Sequence, residues 1–417
     1  MGWEKFCTLI FLGRNNVKSF ISLEEAIEIL NNNVNNLDIE EVDLIDGLNR
    51  VISENIYAQI NNPPFNKSAM DGYALISNNT ELSNRKLKVI DKVYAGGVCS
   101  SAVNEDTAVR IMTGAPIPKG ANAVIKQEDV TLEDDFIILK KNVKENENIC
   151  IKGEDISKGS LLLKSSKKLD YADIGILASS GINKMKVYKK PKIAFISTGD
   201  EVVDIGLALG EGKIYNSNKY SILSRIKELG YEAKYIAHIN DNFHEIGSYI
   251  EEISNEVDLI ITTGGVSVGE KDLLKDAIDT TSGEKLFWKI TIKPGSAVLC
   301  SRVNKSIVIS LSGNPTAALT TFELLVKPTL EKLSGYKEIK INREKAILSK
   351  DIKKKSPQRR FIRGYVEVNN CKQYVHITQT KSGNGILSSA INSNCIIEIE
   401  TNNDSKNQGD LVDIIKL

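Results

Sequence analysis

Four short segments of the sequence combine glycine, hydroxyl and carboxylate residues, and each follows an apolar run typical of a buried strand. They span residues 197–201, 240–241, 262–267 and 312–315. Glycine loops present backbone N–H groups that can bind phosphate. Nearby carboxylates can hold Mg²⁺, which usually takes one or two carboxylates together with phosphate oxygens and water. Each segment alone is also compatible with a simple turn or a helix cap.

The carboxylates that we expect to hold Mg²⁺ are Glu201, Asp241 and Asp272. The alternative is that each carboxylate caps the helix that follows it, which we favour for Asp200. The residues expected to contact phosphate in the same loops are Thr198, Gly199, Gly264, Gly265, Ser267, Gly269, Ser312, Gly313, Asn314 and Pro315.

Two lysines, Lys289 and Lys293, stand four residues apart in the stretch FWKITIKPGSAVLC (287–300). The alternation of apolar residues predicts a strand, in which both lysines would point to one face. Beside phosphate-binding loops they could form a clamp for an anion. The alternative is the solvated face of an edge strand, where lysine is common.

The arrangement of elements between residues 189 and 334 predicts where these residues meet. Strand patterns alternate with amphipathic helix patterns, from KIAFIS (192–197) to a long helix that runs from Pro315 towards Leu333. This alternation indicates a parallel doubly wound sheet. In such sheets ligands bind at the carboxyl ends of the strands. The predicted fold class is therefore α/β multidomain.

The remaining segments predict three further structural parts around this sheet. Ser22 and Glu25 form a capping box before a short helix, and a second helix is predicted from about Val42 to Ile52. Short strand patterns then indicate β-rich structure. The predicted domains are a discontinuous N-terminal domain (17–55 and 147–188), an inserted β-rich domain (56–146), the α/β domain (189–334) and a C-terminal β domain (335–417).

Composition excludes several classes of function. Lys plus Arg and Asp plus Glu both total 54, so no overall charge attracts nucleic acid or an anionic membrane. The six cysteines lack metal-ligand spacing and there are only three histidines, which disfavours a thiol or histidine metal site. The apolar stretch 6–12 is too short to span a bilayer. No G-x-G-x-x-G or P-loop motif occurs. We expect a cytoplasmic protein with reduced cysteines.

Six ordered motifs carry a resemblance to a known family: SAMDGYA, MTGAPIPKGAN, STGDE, TTGGVSVGEKD, KPG and SGNP. Together they resemble the molybdopterin molybdenumtransferases, which include MoeA and the gephyrin E domain. The resemblance implies a homodimer that inserts molybdate into adenylylated molybdopterin, with Mg²⁺-dependent release of AMP. It also makes the molybdopterin adenylyltransferase a candidate partner.

The resemblance also implies roles for individual residues. Glu201, Asp241 and Asp272 would position Mg²⁺ and the pyrophosphate, while Asp71 and Thr113 would complete the site from the other subunit. The residues implied to bind oxyanions or the substrate are Lys289, Lys293, Pro294, Gly295 and Arg363.

Three positions differ from the family pattern. KPGSA (293–297) lacks a second lysine, Ser312 replaces a proline, and Asn384 stands where many relatives have serine. Loss of a lysine that contacts charge weakens anion binding. The first difference motivates one alternative, a homologue that prefers tungstate. A second alternative is a scaffold protein without catalytic activity.

Overall fold

A computed structural model of the chain describes residues 17–77, 82–266, 272–353, 356–378, 387–401 and 405–417. The described residues form two compact units, one within 41–187 and one that combines those from 17 to 40 with those from 188 to 417. Among the described helices, none has the length and apolar composition needed to cross a membrane.

The first part of the chain contains mostly short strands. They are β1 (Ser19–Ile21), β2 (Ile39–Asp43), β3 (Ile56–Tyr57), β4 (Lys67–Ser68), β5 (Gly72–Leu75), β6 (Lys86–Val93), β7 (Thr107–Ile111), β8 (Ala123–Lys126), β9 (Val130–Glu133), β10 (Phe136–Leu139), β11 (Ile149–Cys150), β12 (Leu161–Leu163) and β13 (Lys184–Tyr188). The helices are α1 (Leu23–Asn33) and α2 (Tyr171–Ser179), with 3₁₀ turns at Leu44–Gly47 and Gln127–Asp129.

Helix α1 begins where the sequence predicts it. The Ser22 hydroxyl accepts a hydrogen bond from the Glu25 N–H at 3.1 Å, and the Glu25 carboxylate accepts one from the Ser22 N–H at 2.8 Å. This reciprocal pair satisfies two N–H groups that the first helical turn leaves without partners. The predicted capping box is therefore confirmed.

The helix predicted from Val42 to Ile52 is wrong. The segment contains the end of β2 and one 3₁₀ turn, and several of its backbone hydrogen bonds go to distant residues. The Leu44 N–H donates to the Asn183 carbonyl, and Asn49 has a positive φ of 64°. A left-handed residue interrupts helical geometry, and long-range partners compete with helical hydrogen bonding.

The unit of residues 41–187 has a six-stranded sheet in the order β8-β5-β7-β6-β10-β9. Apolar side chains pack on both of its faces, with Leu75 and Ile137 on one face and Val109 and Val124 on the other. The β-rich character predicted for this part of the chain is confirmed.

The central part of the chain alternates strands and helices. The strands are β14 (Ile193–Thr198), β15 (Val202–Val203), β16 (Ile214–Tyr215), β17 (Ala233–Ile239), β18 (Leu259–Thr263), β19 (Glu284–Ile290), β20 (Ile292–Lys293), β21 (Val298–Val303) and β22 (Ser306–Leu311). The helices are α3 (Ser217–Glu228), α4 (Phe243–Ile253), α5 (Leu273–Asp279), α6 (Pro315–Thr321) and α7 (Lys327–Leu333), with a π-helical segment at Phe322–Val326 between the last two.

These elements build the sheet that positions the candidate site. Its order is β1-β19-β21-β22-β18-β14-β17, and β17, β14, β18 and β22 run parallel. Helix α3 packs Ile222 and Ile226 on one face, while α4 packs Ile246 and Ile250 on the other. The doubly wound α/β architecture is confirmed, and it brings the carboxyl ends of β14, β18 and β22 side by side.

The continuous strand predicted across Lys289 and Lys293 is wrong. Strand β19 ends at Ile290 in the central sheet, and β20 pairs instead with a strand of the C-terminal region. Lys289 has a positive φ of 63° and is buried, whereas Lys293 is exposed. The two lysines therefore do not share one strand face, because the chain changes sheets between them.

The C-terminal region is a β domain, as predicted from its strand patterns. Its strands are β23 (Glu344–Leu348), β24 (Arg359–Asn369), β25 (Lys372–Ile377), β26 (Cys395–Ile399) and β27 (Leu411–Lys416), with a 3₁₀ turn at Leu387–Ala390. They join β20 in the order β20-β24-β25-β23-β27-β26, and β24 also pairs with β26. This additional pairing curves the sheet around a core that contains Ile362 and Val375.

Candidate functional site

A pocket open to solvent lies at the carboxyl ends of three neighbouring parallel strands. Ser197, Thr263 and Leu311 are in register across β14, β18 and β22. The pocket has a volume of about 400 Å³ when the open solvent at its mouth is included. Its lining residues are Ser197, Thr198, Glu201, Val202, Ile214, Tyr215, Asn216, Ser217, Asn218, Thr263, Gly264, Gly313 and Pro315. Three of the four loops singled out in the sequence therefore contribute to one pocket.

Two asparagines at the start of α3 form a polar wall of this pocket. The Asn216 side chain donates to the Ser197 hydroxyl at 2.8 Å and accepts from the Lys219 N–H at 3.1 Å. The Asn218 amide donates to the Gly313 carbonyl at 2.9 Å. The Oδ1 atom of Asn218 is buried and has no hydrogen-bond partner within the described residues. A buried acceptor without a donor is costly, so this atom fits a ligand N–H.

The two glycines after β18 are required by their surroundings. Gly264 has a φ of 95°, and a Cβ there would lie 2.5 Å from the Thr198 carbonyl oxygen. Gly265 has a φ of 65°, and its Cβ would lie 2.2 Å from Leu274 Cδ2. Only glycine combines this backbone conformation with such close packing. The pair keeps the β14 and β18 loops in direct contact.

The loop after β22 is fixed by its own side chains. The Ser312 hydroxyl accepts from the Asn314 N–H at 3.2 Å, and the Asn314 side chain accepts from the Thr316 N–H at 3.0 Å. Pro315 occupies the first turn of α6, where a missing N–H has no cost. Ser312 thus supplies a local bond for the turn.

An acidic cluster surrounds the loops after β14 and β17. The Asp241 N–H donates to Asp200 Oδ1 at 3.1 Å. Burial raises the pKa of Asp241, and the negative charges of Asp200 and Glu201 raise it further. Gly199 has a φ of 129°, and a Cβ there would lie 2.6 Å from Glu201 Oε2. We call Asp200, Glu201 and Asp241 the exposed acidic cluster, and its mutual repulsion favours a cation.

Asp272 lies in a different environment from that cluster. It is buried, and its Oδ2 atom accepts a hydrogen bond from the Trp288 indole N–H at 2.7 Å. Its Oδ1 atom caps α5 by accepting from the Lys275 N–H at 3.4 Å. Burial raises the pKa of Asp272, while the Trp288 bond and the charge of Lys289 oppose that shift.

The three predicted metal ligands have different contacts in the structure. Glu201 and Asp241 lie together with Asp200, and Asp272 lies with Trp288 and Lys275. Within the described ranges, no group of three or more His, Cys, Asp or Glu side chains is close enough to hold a metal ion without other ligands.

The KPG segment joins the central sheet to the C-terminal β domain. Gly295 has a φ of 103°, and a Cβ there would lie 2.6 Å from Thr321 Cγ2. Lys293, just before Pro294, is exposed. The Ser296 hydroxyl donates to the Ile290 carbonyl at 2.7 Å. Ser296 therefore supports the turn with its hydroxyl group.

Arg363 is a buried guanidinium on β24. Only 8% of this residue is exposed. Burial lowers its pKa, and the charge of Glu323 opposes that shift. Glu323 belongs to the π-helical segment, is itself buried, and accepts from Arg225 Nε at 2.8 Å. π-Helical turns often mark functional sites, and here one turn supplies the carboxylate that balances Arg363.

Asp71 and Thr113 meet in the unit of residues 41–187. The Thr113 N–H and hydroxyl both donate to Asp71 Oδ1, at 2.8 and 2.7 Å. These bonds, the backbone bond first, lower the pKa of Asp71. Gly72 follows directly, and a Cβ there would lie 1.9 Å from the Ile125 carbonyl oxygen. The two residues that the resemblance pairs are thus in direct contact.

Comparison with protein families matches almost the whole chain. Residues 21–181 match the MoeA N-terminal region (domain I and II), residues 194–332 a probable molybdopterin binding domain, and residues 345–417 the MoeA C-terminal region (domain IV). A molybdopterin molybdenumtransferase of Haemophilus influenzae is 37% identical over 377 residues, which cover 90% of this chain and 93% of the relative. The chain belongs to the MoeA family.

Other MoeA proteins agree in sequence and in fold. A molybdopterin molybdenumtransferase of Staphylococcus aureus is 35% identical over 400 residues, 95% of each chain. The crystal structure of a molybdopterin biosynthesis MoeA protein from Pyrococcus horikoshii OT3 has a TM-score of 0.80 at 32% identity, covering 96% of this chain and all of that one. The family and the fold class that the motifs predicted are both confirmed.

Sequence reasoning missed Asn216, Asn218 and Trp288 in this MoeA chain. A polar N-S-N stretch at the start of a predicted helix, next to the carboxyl edge of the sheet, is the signal that could have found the asparagines. Trp288 stands beside a candidate lysine, but its bond to Asp272 joins residues 16 positions apart. Ser267, Gly269 and Asn384, which the sequence also singled out, lie outside the described residues.

Proposed function

We propose that this protein is a molybdopterin molybdenumtransferase, which inserts molybdate into adenylylated molybdopterin with Mg²⁺-dependent release of AMP. The observation that carries the proposal is the pocket at the carboxyl ends of β14, β18 and β22. There a buried acceptor without a partner, Asn218 Oδ1, lies in the same pocket as Glu201 and Gly264. This combination suits a ligand with both N–H donors and phosphate groups.

In this proposal the pocket binds the pterin and its pyrophosphate. Asn218 Oδ1 accepts a hydrogen bond from an N–H of the pterin, which removes the free-energy cost of a buried acceptor without a partner. The loops at Thr198, Gly199, Gly264, Gly265 and Gly313 approach the phosphates closely, because none of them carries a bulky side chain there. Positioned N–H donors of this kind stabilise charge on a leaving phosphate.

The proposed oxyanion ligands are Lys289, Lys293 and Arg363. Lys289 and Arg363 are largely buried, at 4% and 8% exposure, and buried cations attract anions more strongly than exposed ones do. Molybdenum takes sulfur ligands from the dithiolene of the substrate, so the protein needs groups that recognise hard anions only. This division explains a site with cationic side chains and no cysteine motif.

The exposed acidic cluster fits Mg²⁺. The negative charges of Asp200 and Glu201 contribute to the raised pKa of Asp241. A bound cation would reduce the repulsion among these three carboxylates. Two carboxylates are sufficient, because Mg²⁺ usually completes its shell with substrate phosphates and water. When bound, Mg²⁺ would supply charge neutralisation at the pyrophosphate. Asp272 would have a different role, which is to orient Trp288 through a hydrogen bond and to stabilise the charge of Lys289.

The protein is proposed to work as a homodimer, in which Asp71 and Thr113 of one subunit complete the site of the other. Mixing two inactive variants, Asp71→Asn and Asp241→Asn, tests this arrangement. Subunit exchange should restore activity to about a quarter of the parent level, because a mixed dimer contains one site with neither substitution. If no activity returns although mixed dimers form, both residues belong to the same subunit's site.

The proposed chemistry also suggests a partner enzyme and a cellular compartment. The molybdopterin adenylyltransferase makes the adenylylated substrate, which makes it the proposed partner. The described cysteines are all free, as expected for a protein in a reducing compartment. We therefore propose that the enzyme works in the cytoplasm.

An AMP-release assay tests the proposed activity. Purified protein is incubated with adenylylated molybdopterin, Mg²⁺ and molybdate, and AMP is measured over time. We expect release that depends on both Mg²⁺ and molybdate. A protein without activity under any of these conditions would support the scaffold alternative. Replacing molybdate by tungstate tests the other alternative, which requires tungstate to be used more efficiently than molybdate.

A further inference from the structure

Lys289 has an unusual environment for a lysine. The residue is 4% exposed, and within the described residues its ammonium group makes no hydrogen bond and no ion pair. It lies instead over two aromatic rings, 3.7 Å from the centroid of Trp288 and 5.3 Å from that of Phe20. Burying a charge is costly unless other groups compensate for it. Here two aromatic faces and the charge of the Asp272 carboxylate provide the compensation.

The backbone brings Phe20 to this position. Strands β1 and β19 are parallel, with Ser19 opposite Trp288 and Ile21 opposite Ile290, so that Phe20 lies opposite Lys289. Both of these central residues have positive φ angles, 56° for Phe20 and 63° for Lys289. Non-glycine residues adopt this region rarely, and such strain concentrates at functional sites. The two strands therefore deviate together at one point.

The aromatic contacts leave the N–H groups of Lys289 available. Asp272 acts on Lys289 through its charge, with no hydrogen bond between the two side chains among the described residues. An aromatic face likewise stabilises the charge without accepting a conventional hydrogen bond, so neither contact occupies the N–H donors. Phe20 is itself 55% exposed. Because more than half of Phe20 stays exposed, hydrophobic burial contributes little to holding it in place. Its contact with the Lys289 ammonium gives a reason for this position.

We propose that Phe20 and Trp288 form an aromatic clamp that positions the Lys289 ammonium for an oxyanion of the substrate. The N-terminal strand β1 is then part of the binding site. This inference rests on the proposed function, which assigns oxyanion binding to Lys289. The oxyanion is either molybdate or a phosphate group, because both present negatively charged oxygens to the same donor. Phe20 and Trp288 are positioning residues, since they act through Lys289.

Calorimetric titration of the full-length protein with molybdate alone, and separately with inorganic pyrophosphate alone, tests the clamp. Phe20→Leu keeps apolar bulk but removes the ring. We expect it to raise the Kd of one of the two anions about threefold to tenfold, as the size of a cation–π contact implies. Phe20→Tyr keeps the ring and should restore binding to within about twofold of the parent.

Two further variants make the result specific. Phe136→Leu removes another aromatic contact of a lysine, Lys86 at 4.8 Å, in the six-stranded sheet, and should leave both Kd values unchanged. Trp288→Phe replaces the indole by a ring with a weaker cation–π interaction and also removes the N–H bond to Asp272. It should therefore weaken binding of the same anion as Phe20→Leu does. Thermal unfolding of each variant shows whether the fold is intact.

Lys289→Met separates failure of the clamp from failure of the proposed function. It should weaken binding of the affected anion more than tenfold, and Phe20→Leu should have no further effect in that background. Weak binding by Lys289→Met together with parent-like binding by Phe20→Leu would overturn the clamp alone. Parent-like binding of both anions by Lys289→Met would overturn the oxyanion role of Lys289, and the clamp with it.

Discussion

The exposed acidic cluster and Asp272 show how differently carboxylates behave at one edge of the same sheet. In the cluster, Asp241 lies near two other negative charges that raise its pKa. Asp272 instead accepts bonds from Trp288 and from the start of α5. A carboxylate that is already bonded gains less from a cation than one that is repelled by its neighbours. Under the proposed function, Mg²⁺ would therefore bind at the cluster.

The glycine pair after β18 connects the two regions. Gly264 abuts Thr198, just before the acidic loop, and Gly265 abuts Leu273 and Leu274, just after Asp272. A side chain at either position would have to displace one region or the other. The positions of the acidic loop and of Asp272 therefore depend on these two glycines.

The largest effect is expected from Asp241→Asn. It should lower the rate of AMP release roughly 10²–10³-fold, the usual loss when one group that stabilises transition-state charge is removed. The Mg²⁺ concentration that gives half-maximal rate should also rise. Asp106→Asn changes an exposed carboxylate of the six-stranded sheet, which pairs with Arg85, and serves as control. An unchanged Mg²⁺ requirement in Asp241→Asn would break the assignment.

Gly264→Ala should have the next largest effect. The new Cβ would meet the Thr198 carbonyl oxygen at 2.5 Å, so we expect a loss of about 2 kcal/mol or more in unfolding free energy. AMP release should fall at least about tenfold, since displacing a site by 1 Å is costly. Gly206→Ala is the matched control, because Gly206 has a φ of 88° and nothing within 4 Å. Equal denaturation midpoints for both variants would argue against a steric role of Gly264.

A smaller effect is expected from Asp272→Asn. Asparagine can still accept from Trp288 and cap α5, but it lacks the charge that faces Lys289 and Lys275. We expect AMP release to fall about tenfold, the difference between a charged and a neutral hydrogen bond. The Mg²⁺ requirement should stay within about twofold of the parent. If it shifts as far as in Asp241→Asn, the two regions form one metal site.

The smallest effect concerns Asp204, which lies beyond the cluster in the same loop. Hydrogen bonds from Lys219 and Tyr220 lower the pKa of Asp204 to about 2. Its folded pKa lies below the ordinary value, so the stabilisation is present above about pH 4 and is lost as the pH falls towards 2. Thermal melts of Asp204→Asn and the parent should differ at pH 7 and converge near pH 2. A constant difference across this range would contradict the proposed charge effect.

Local patterns predicted the strands and helices of the central sheet well. The apolar runs before residues 198 and 263 and the capping box at Ser22 depend on neighbours in sequence, and all three appear as expected. The order of strands and helices along the chain predicted which edge of the sheet carries the candidate pocket. This part of the fold could be predicted because the residues that determine each strand or helix lie within that element's own sequence.

Features that depend on distant partners could not be predicted in the same way. The segment after Val42 bonds to residues near 183 instead of forming a helix. Asn218 bonds to Gly313, which is 95 positions away. The bond between Asp272 and the Trp288 indole joins residues 16 positions apart. The residue types were visible in the sequence, but their partners were set by tertiary contacts.

The most direct test of the account is a Mg²⁺ titration of molybdate-dependent AMP release, with the parent protein and Glu201→Gln measured side by side. We predict that the parent releases AMP only when Mg²⁺ and molybdate are both present. Glu201→Gln should need a markedly higher Mg²⁺ concentration for half-maximal rate. Absence of AMP release by the parent, or the same Mg²⁺ requirement in both proteins, would contradict the account.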